Sequence, residues 1–509
     1  MIRLFRNIAL SLLCLAALAM PAIAEEMSLK QIIETVLTHH PELNISRIDS
    51  AIAATGTMQV EGILDPVVTA SLGASDEKIP TVSDFQPSEN RLGHLSGTIA
   101  KPLASGGTIG ADFNYTRTSQ GFNSPFAAQL ALFNPSYRNQ ININYRHPLL
   151  KGANRPDYNQ SLISAQAKLE QAEMQQHVIA HNLTLRVINA YYQLASDDIN
   201  IDIARQAVER AKKLLAYQRS REQFGLIEKA DRLQATALLA ARKTDLQRAI
   251  SKRLNNQNTL NRLMLHQASD EIAVQRDKQR EYELNDSHIK EAVHQAEKLR
   301  PELQVLDAQM QAADAQLAIA RDADQMQLDV VASLGSRALG KTPLPAAAGG
   351  LSAHDHFASL SLEISDALGR NTAHAAIRKA ELQRQRIQAD RLRVLEQIRD
   401  DISAAQTAVI AGKPTLIVAK KQVRAEQQKF NAEMKRYRQG RSDTATLVQF
   451  EGELRNAALN AQLQQLTIEL AETQLAWAQG RLLYDLGLYY PDLSPISPLK
   501  QTPPDIKAP

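Results

Sequence analysis

The 509-residue chain has a single cysteine, Cys14, inside an N-terminal apolar run. Without that run nothing is left to form a disulfide, a thiolate metal site or a cysteine nucleophile. An excess of one charge is also missing. The 58 Lys and Arg against 55 Asp and Glu leave a net charge of +3, not the concentrated basic excess of a nucleic-acid binder. Aromatic residues make up only 5%, few for a globular enzyme core. Beyond the N-terminal run, no stretch offers the ~18 continuous apolar residues of a transmembrane helix. Glycine and proline are almost absent from residues 157–334, where only Gly225 and Pro301 occur.

The first 24 residues read as a secretory signal peptide. Arg3 and Arg6 supply positive charge, Ile8 to Met20 is apolar but too short to span a bilayer, and Ala22-Ile23-Ala24 fits a small-x-small cleavage site. Leu13 stands where a lipoprotein signal wants a small residue before its cysteine. The mature chain is therefore expected to be exported, with membrane contact only at the surface or through β-strands.

Glycine and proline divide what remains. Residues 62–152 hold sixteen of them and 335–369 hold seven, as turns and strand ends require. The long stretches between carry apolar residues at helical spacing. Ile201, Ala204, Val208, Ala211 and Leu215 form one seam, and Leu459, Leu463, Leu466 and Leu470 another. Such Ala-rich heptad seams predict close-packed coiled coils. One helix over 157–224 would be about 100 Å long at 1.5 Å per residue.

The turn-rich stretches alternate instead. Ile109, Ala111, Phe113 and Tyr115 interleave with Gly110, Asp112 and Asn114, and Ile141, Ile143 and Tyr145 with Asn142, Asn144 and Arg146. Leu360, Leu362 and Ile364 interleave with Ser361, Glu363 and Ser365. Period two with one apolar face predicts half-buried strands. Seven aromatics between Phe113 and Tyr145 suit a membrane-interface girdle, with a soluble β-sandwich as the alternative. Candidate strands lie near 66–76, 92–102, 107–119 and 137–147, with a second group at about 328–366.

The order repeats. Pro41-Glu42-Leu43 returns as Pro301-Glu302-Leu303, and Ala70-Ser71-Leu72-Gly73 as Ala332-Ser333-Leu334-Gly335. Gly152 matches Gly369, and Gly225 matches Gly440. The offset drops by 45 residues only between Gly73 and Gly152, so the first strand region is longer by that amount. The expected organisation is a first repeat over 25–280 with strands about 66–147 and a tip at 225. A second repeat follows over 281–490 with a tip at 440. Residues 491–509, with six prolines, are expected to be a disordered tail. A few strands cannot close a barrel alone, and open edges are not tolerated in lipid. Oligomerisation follows.

With its order of signal peptide, Pro-Glu-Leu helix, strands, long helix, tip and long helix, doubled, the chain resembles the TolC family of outer-membrane efflux proteins. Arg221 to Gly225-Leu226 and Arg436-Tyr437 to Gly440 are similar to the family's helix-turn-helix tips, and His147 to Gly152 to its strand-to-helix exit. The resemblance implies a mainly α, α+β fold. In it, long antiparallel coiled-coil helices would form a homotrimeric α-helical barrel in the periplasm, joined to a shared twelve-stranded β-barrel in outer-membrane lipid. Such a barrel takes two strands per repeat, so two of the four candidates in the first group would merge into one long strand or form a hairpin outside the lipid; the sequence leaves their number open. The resemblance also implies a passive export duct, not an enzyme, for a tripartite efflux pump or type I secretion system. The partners would be a periplasmic membrane-fusion adaptor and an inner-membrane pump or ABC transporter. Adaptor docking would use Arg221, Gly225, Leu226, Arg436 and Gly440. The resemblance pairs Tyr437 with Asp231 as a latch at the periplasmic entrance. Arg441 is a further gate candidate, although the family's arginine position holds Ser442 here. Thr446 and Gln449 occupy positions where members often carry an acidic ring; Asp443 and Glu451 are the nearest acids.

No catalytic set is apparent, and no cofactor or nucleic acid is implied. His177 and His181 share a helix face, but Val178 breaks the zinc-protease pattern and no third ligand is in view. Gly106-Gly107 reads as a hairpin turn. The alternative of another class is a non-channel periplasmic coiled-coil scaffold. The exported substrate is not readable from the sequence.

Overall fold

Ser28 opens the first helix. Its side chain and that of Gln31 cap one another's backbone amides, the reciprocal arrangement that fixes a helix start. Behind this cap Leu29, Ile32, Ile33, Val36 and Leu37 fall on one face of α1 (Leu29–His39), and all are buried. The computed structural model describes residues 25–225, 227–267, 272–275, 288–350 and 355–488. The expected signal peptide (1–24), Leu226 and the proline-rich tail (491–509) lie outside them.

The described elements run β1 (Glu25–Met27), α1, α2 (Pro41–Glu61), β2 (Val67–Lys78), β3 (Pro87–Pro102), β4 (Thr108–Phe122), α3 (Pro125–Leu130), β5 (Ser136–Pro148), α4 (Pro156–Gln223) and α5 (Lys229–Met264). Then come β6 (Ile272–Val274), α6 (His288–Leu299), α7 (Pro301–Ala323), β7 (Gln327–Gly340), α8 (Pro343–Gly349), β8 (Asp355–Ser365), α9 (Asn371–Arg438), α10 (Thr444–Ala478) and α11 (Leu482–Asp485). The two longest helices, α4 and α9, have 68 residues each. Their return partners, α5 and α10, have 36 and 35.

The chain forms two units. The first comprises residues 1–50, 172–305 and 391–509. Its core gathers Ile32, Leu43, Leu183, Ile188, Ile398 and Ile402 around the short parallel pair β1–β6. All five residues of the first seam, Ile201 to Leu215, are buried. Of the second seam Leu466 is buried and the other three are partly so. Helix α9 contains a stretch apolar and long enough to cross a membrane by composition, a third of it buried. Ile398, Ile402 and Val409 of this helix are fully buried, as in a packed coiled-coil strand.

His181 and Trp477 stack at 4.5 Å within this unit, and the Arg300 guanidinium lies 4.8 Å from the indole centroid. His181 is thus a core residue, and its partner ring belongs to Trp477 rather than to His177. Burial, helped by the Arg300 charge, lowers its pKa to about 3.

The second unit, residues 51–171 and 306–390, holds one antiparallel sheet in the order β2-β3-β4-β5-β7-β8. The expected four strands of the first group all exist, and none merges with another. The strand count that the sequence left open is thereby six in this sheet, β3 and β4 forming a hairpin beyond the two strands per repeat of a twelve-stranded trimer. Register places Leu72, Leu95, Tyr115, Leu334 and Leu360 on one face. The opposite face carries Ser71, Ser96, Asn114, Ser333 and Ser359. On it Arg146 donates to Asp329 and Glu363, both at 2.7 Å. At one end of the apolar face α8 packs on it: Asn139, 1% exposed, donates to the Ala347 carbonyl and Tyr115 to the Pro343 carbonyl. Elsewhere the face is open among the described residues, with Leu72, Leu334 and Leu360 84%, 58% and 77% exposed.

Candidate functional site

The tips are built by two helix ends. At Gly440, with φ 72°, the chain leaves α9 in the left-handed region. The Gly440 amide donates to the Tyr437 carbonyl and the Arg441 amide to the Arg436 carbonyl, each at 3.0 Å. This Schellman arrangement satisfies the last carbonyls of the helix and favours glycine at the turn. Gly225, at the end of α4, is left-handed too, with φ 70° and its amide on the Glu222 carbonyl at 2.9 Å. A Cβ at either glycine would meet nothing within 4 Å. Backbone conformation, not space, selects the residue.

Asp443 then restarts the chain. Its carboxylate accepts from the Thr446 amide at 2.7 Å and from the Thr446 hydroxyl at 3.1 Å. These bonds hold its pKa below the usual carboxylate range. The cap places Thr444, the first residue of α10, at the centre of a buried polar cluster. Thr444 is 1% exposed, Gln218 0% and Tyr437 3%.

The cluster is a directed chain of hydrogen bonds. Gln218 Nε2 donates to the Tyr437 phenol oxygen and to Thr444 Oγ1, the latter at 2.8 Å. Tyr437 and Thr444 hydroxyls are 3.2 Å apart, and Thr444 Oγ1 donates to Asp231 Oδ1 at 2.8 Å. With Thr444 giving its proton to the carboxylate, it accepts from Tyr437. Burial first, and then the Asp231 charge, raise the Tyr437 pKa, while the Thr444 bond opposes the rise. The phenol therefore stays protonated and able to donate.

Tyr437 and Asp231 thus belong to one network, but Thr444 stands between them where the sequence reading had a direct bond. Arg441 is exposed and does not join the network. Arg221 packs over the Tyr217 ring at 5.8 Å, and that ring lies 5.8 Å from Tyr437. Arg436 is mostly exposed, 3.9 Å from Glu433. Leu226 lies outside the described residues. Next to Gly225, Phe224 is 75% exposed, a large apolar side chain at the first tip that sequence reasoning did not single out.

Two further residues went unread. Gln218 and Thr444 are ordinary polar residues in sequence; only the packing of α4 against α9 and α10 brings them together. Glu451 is 3% exposed, not a rim acid. It accepts from Arg210 at 3.0 and 3.2 Å and from Arg242 at 2.8 and 3.2 Å. One carboxylate thereby ties α4, α5 and α10 together. Among the described residues no group of three or more His, Cys, Asp or Glu is placed to hold a metal ion.

Residues 108–264 match the family described as outer membrane efflux protein. No curated protein matches the chain by sequence. Among solved structures, the outer-membrane channel OprN superposes with a TM-score of 0.65 at 17% identity, covering 89% of both chains. The Campylobacter jejuni CmeC outer membrane channel gives 0.61 at 14% identity over 89% of this chain and 86% of that one. The outer membrane protein VceC from Vibrio cholerae gives 0.63 at 17% identity over 89% and 96%.

Proposed function

We propose that this chain, which matches the outer membrane efflux protein family over residues 108–264 and has the fold of TolC-like outer-membrane channels, is one third of a homotrimeric export duct. The observation that carries this reading is the six-stranded sheet, with an apolar face left open over most of its length, an opposite polar face, and edge strands β2 and β8 unpaired among the described residues. In water such a sheet would be an aggregation template. In lipid it is stable once its edges are closed by further copies.

The long helices support the periplasmic part of the duct. Helix α2 carries Ile45, Ile48 and Ile52, 59%, 54% and 62% exposed, a helical stripe suited to a neighbouring copy. At the tips, the Gln218–Tyr437–Thr444–Asp231 network holds the first hairpin to the second and keeps the entrance closed. The exposed tip residues Phe224, Gly225, Arg436, Gly440 and Arg441, with Arg221 beside them, form the docking surface for a periplasmic adaptor. An inner-membrane pump or ABC transporter supplies the energy. The chain itself performs no chemistry.

Alternating thiol accessibility tests the carrying observation. Cysteine-free mature protein is converted to Leu360→Cys or Ser361→Cys in whole cells. Position 360 should react only with a lipid-soluble reagent and position 361 with a small water-soluble one. Equal water access at both would instead favour a periplasmic scaffold.

A further inference from the structure

The sheet holds one hairpin, β3–β4, more than the links to the long helices require. The chain enters the sheet from α2 through β2 and leaves it through β5 into α4. In the second half it enters from α7 through β7 and leaves through β8 into α9. Strands β3 and β4 lead directly into none of these helices and lie within the sheet, between β2 and β5. With 16 and 15 residues, they account for most of the 45-residue excess of the first strand region.

Four observations place this hairpin in the barrel wall rather than beside it. Its pairing is continuous with both neighbours: β2–β3 runs from Val67↔Ala100 to Lys78↔Glu89, and β4–β5 from Thr108↔Arg146 to Thr118↔Ser136. Its strands are longer than the ~9–11 residues that cross a bilayer. It keeps the two-faced pattern of the whole sheet. Leu95, Ile99 and Ile109 stand exposed on the apolar side, while Thr98 and Ser96 bond to Thr69 and Ser71 on the polar side at 2.6 and 2.7 Å. Its turn is fitted to the exit of β5. Gly106 has φ 100°, and a Cβ there would lie 2.7 Å from the Gly152 carbonyl oxygen. A hairpin standing in water outside the lipid would have no use for an uncovered apolar face.

We infer that three copies close an eighteen-stranded barrel, in which β8 of each copy pairs antiparallel with β2 of the next. The outer-membrane segment then admits a hydrated solute wider than a four-strand contribution would pass. At equal strand tilt the diameter grows roughly in proportion to strand number, so eighteen strands are about 1.5 times as wide as twelve. Strand direction permits the closure, because six alternating strands leave β8 running opposite to β2. This inference rests on the trimeric channel reading above.

Two measurements test it. The first pairs Ser71→Cys with Ser359→Cys or Ser361→Cys, so that oxidation can link β2 to β8 between copies. A covalently closed trimer is expected. A covalent dimer, or β2 and β8 that never cross-link in an intact trimer, would overturn the inference. The second compares the full chain with a variant lacking 87–122, in which β2 can pair directly with β5. In planar bilayers, with polyethylene glycols added on the outer face, the largest polymer entering the full-length pore should be about 1.5 times as wide. Equal cut-offs in two conducting trimers would overturn the inference and leave the channel reading standing. If the deletion fails to assemble, the seam cross-links decide alone. Seam-linked trimers that never conduct would contradict the channel reading and not the strand count.

Discussion

Tyr437 reaches Asp231 through Thr444, whose Oγ1 lies 3.2 Å from the phenol and 2.8 Å from the carboxylate. One hydroxyl therefore joins the second hairpin to the first. Thr444→Val keeps the shape and removes both the acceptor and the donor. Leaving buried polar groups unsatisfied costs about 1–3 kcal/mol, here in each protomer of the closed state. Single-channel conductance should rise in Thr444→Val and return to the wild-type level in Thr444→Ser. Conductance unchanged in Thr444→Val, with trimers intact, would assign closure to other residues.

The glycines at the tips act through φ alone. Gly225→Val or Gly440→Val places a β-branched residue in the left-handed region, at a cost of about 1–3 kcal/mol. No atom stands in the way, so assembly should survive while the docking turn is misshapen. Export should fall with outer-membrane insertion unchanged. Full export together with normal adaptor cross-linking would remove the turns from the docking surface.

Glu451 is buried and holds two guanidinium groups. Glu451→Ala leaves both arginines without it. Breaking a buried pair costs about 3–5 kcal/mol. The side chains of Arg210 and Arg242 are 26% and 12% exposed, which puts the loss at the lower end. The helical melting temperature should drop by several degrees. A drop no larger than that of an exposed pair such as Lys212–Glu209 would mean the clamp contributes little.

His181 gives a pH dependence. Its folded pKa of about 3 lies below the ordinary 6.5, so the unfolded chain binds its proton first. Stability from this residue is complete above pH 6.5 and is lost as pH falls toward 3, by about 3–5 kcal/mol per chain. His181→Phe keeps a ring against Trp477 and cannot protonate. The acid-side fall in melting temperature should shrink in this variant, and an identical pH profile would show that other groups set it.

How far the sequence reaches depends on whether a feature is periodic. Helices α4 and α9 are legible because glycine and proline stay out of them and their seams recur every three or four residues. Strand alternation made β2, β3, β4 and β5 legible one by one. The sequence leaves open whether all four stand separately, because a twelve-stranded trimer takes only two per repeat. Strands β1 and β6 are three residues each, too short for any period, and they pair across the sequence. The tip network was half legible. Tyr437 and Asp231 follow from the family resemblance, by their positions relative to the glycines, but Gln218 and Thr444 are polar residues on otherwise ordinary helix turns. Burial of Glu451 depends on two arginines more than 200 residues away, which no local pattern announces.

The account stands or falls on whether the sheet closes around water in a membrane. Detergent-extracted oligomer of native mass, added to a planar lipid bilayer, should produce discrete, long-lived conductance steps that increase in Thr444→Val. Intact trimers that bind the bilayer yet give no steps, in either the wild type or Thr444→Val, would contradict a channel.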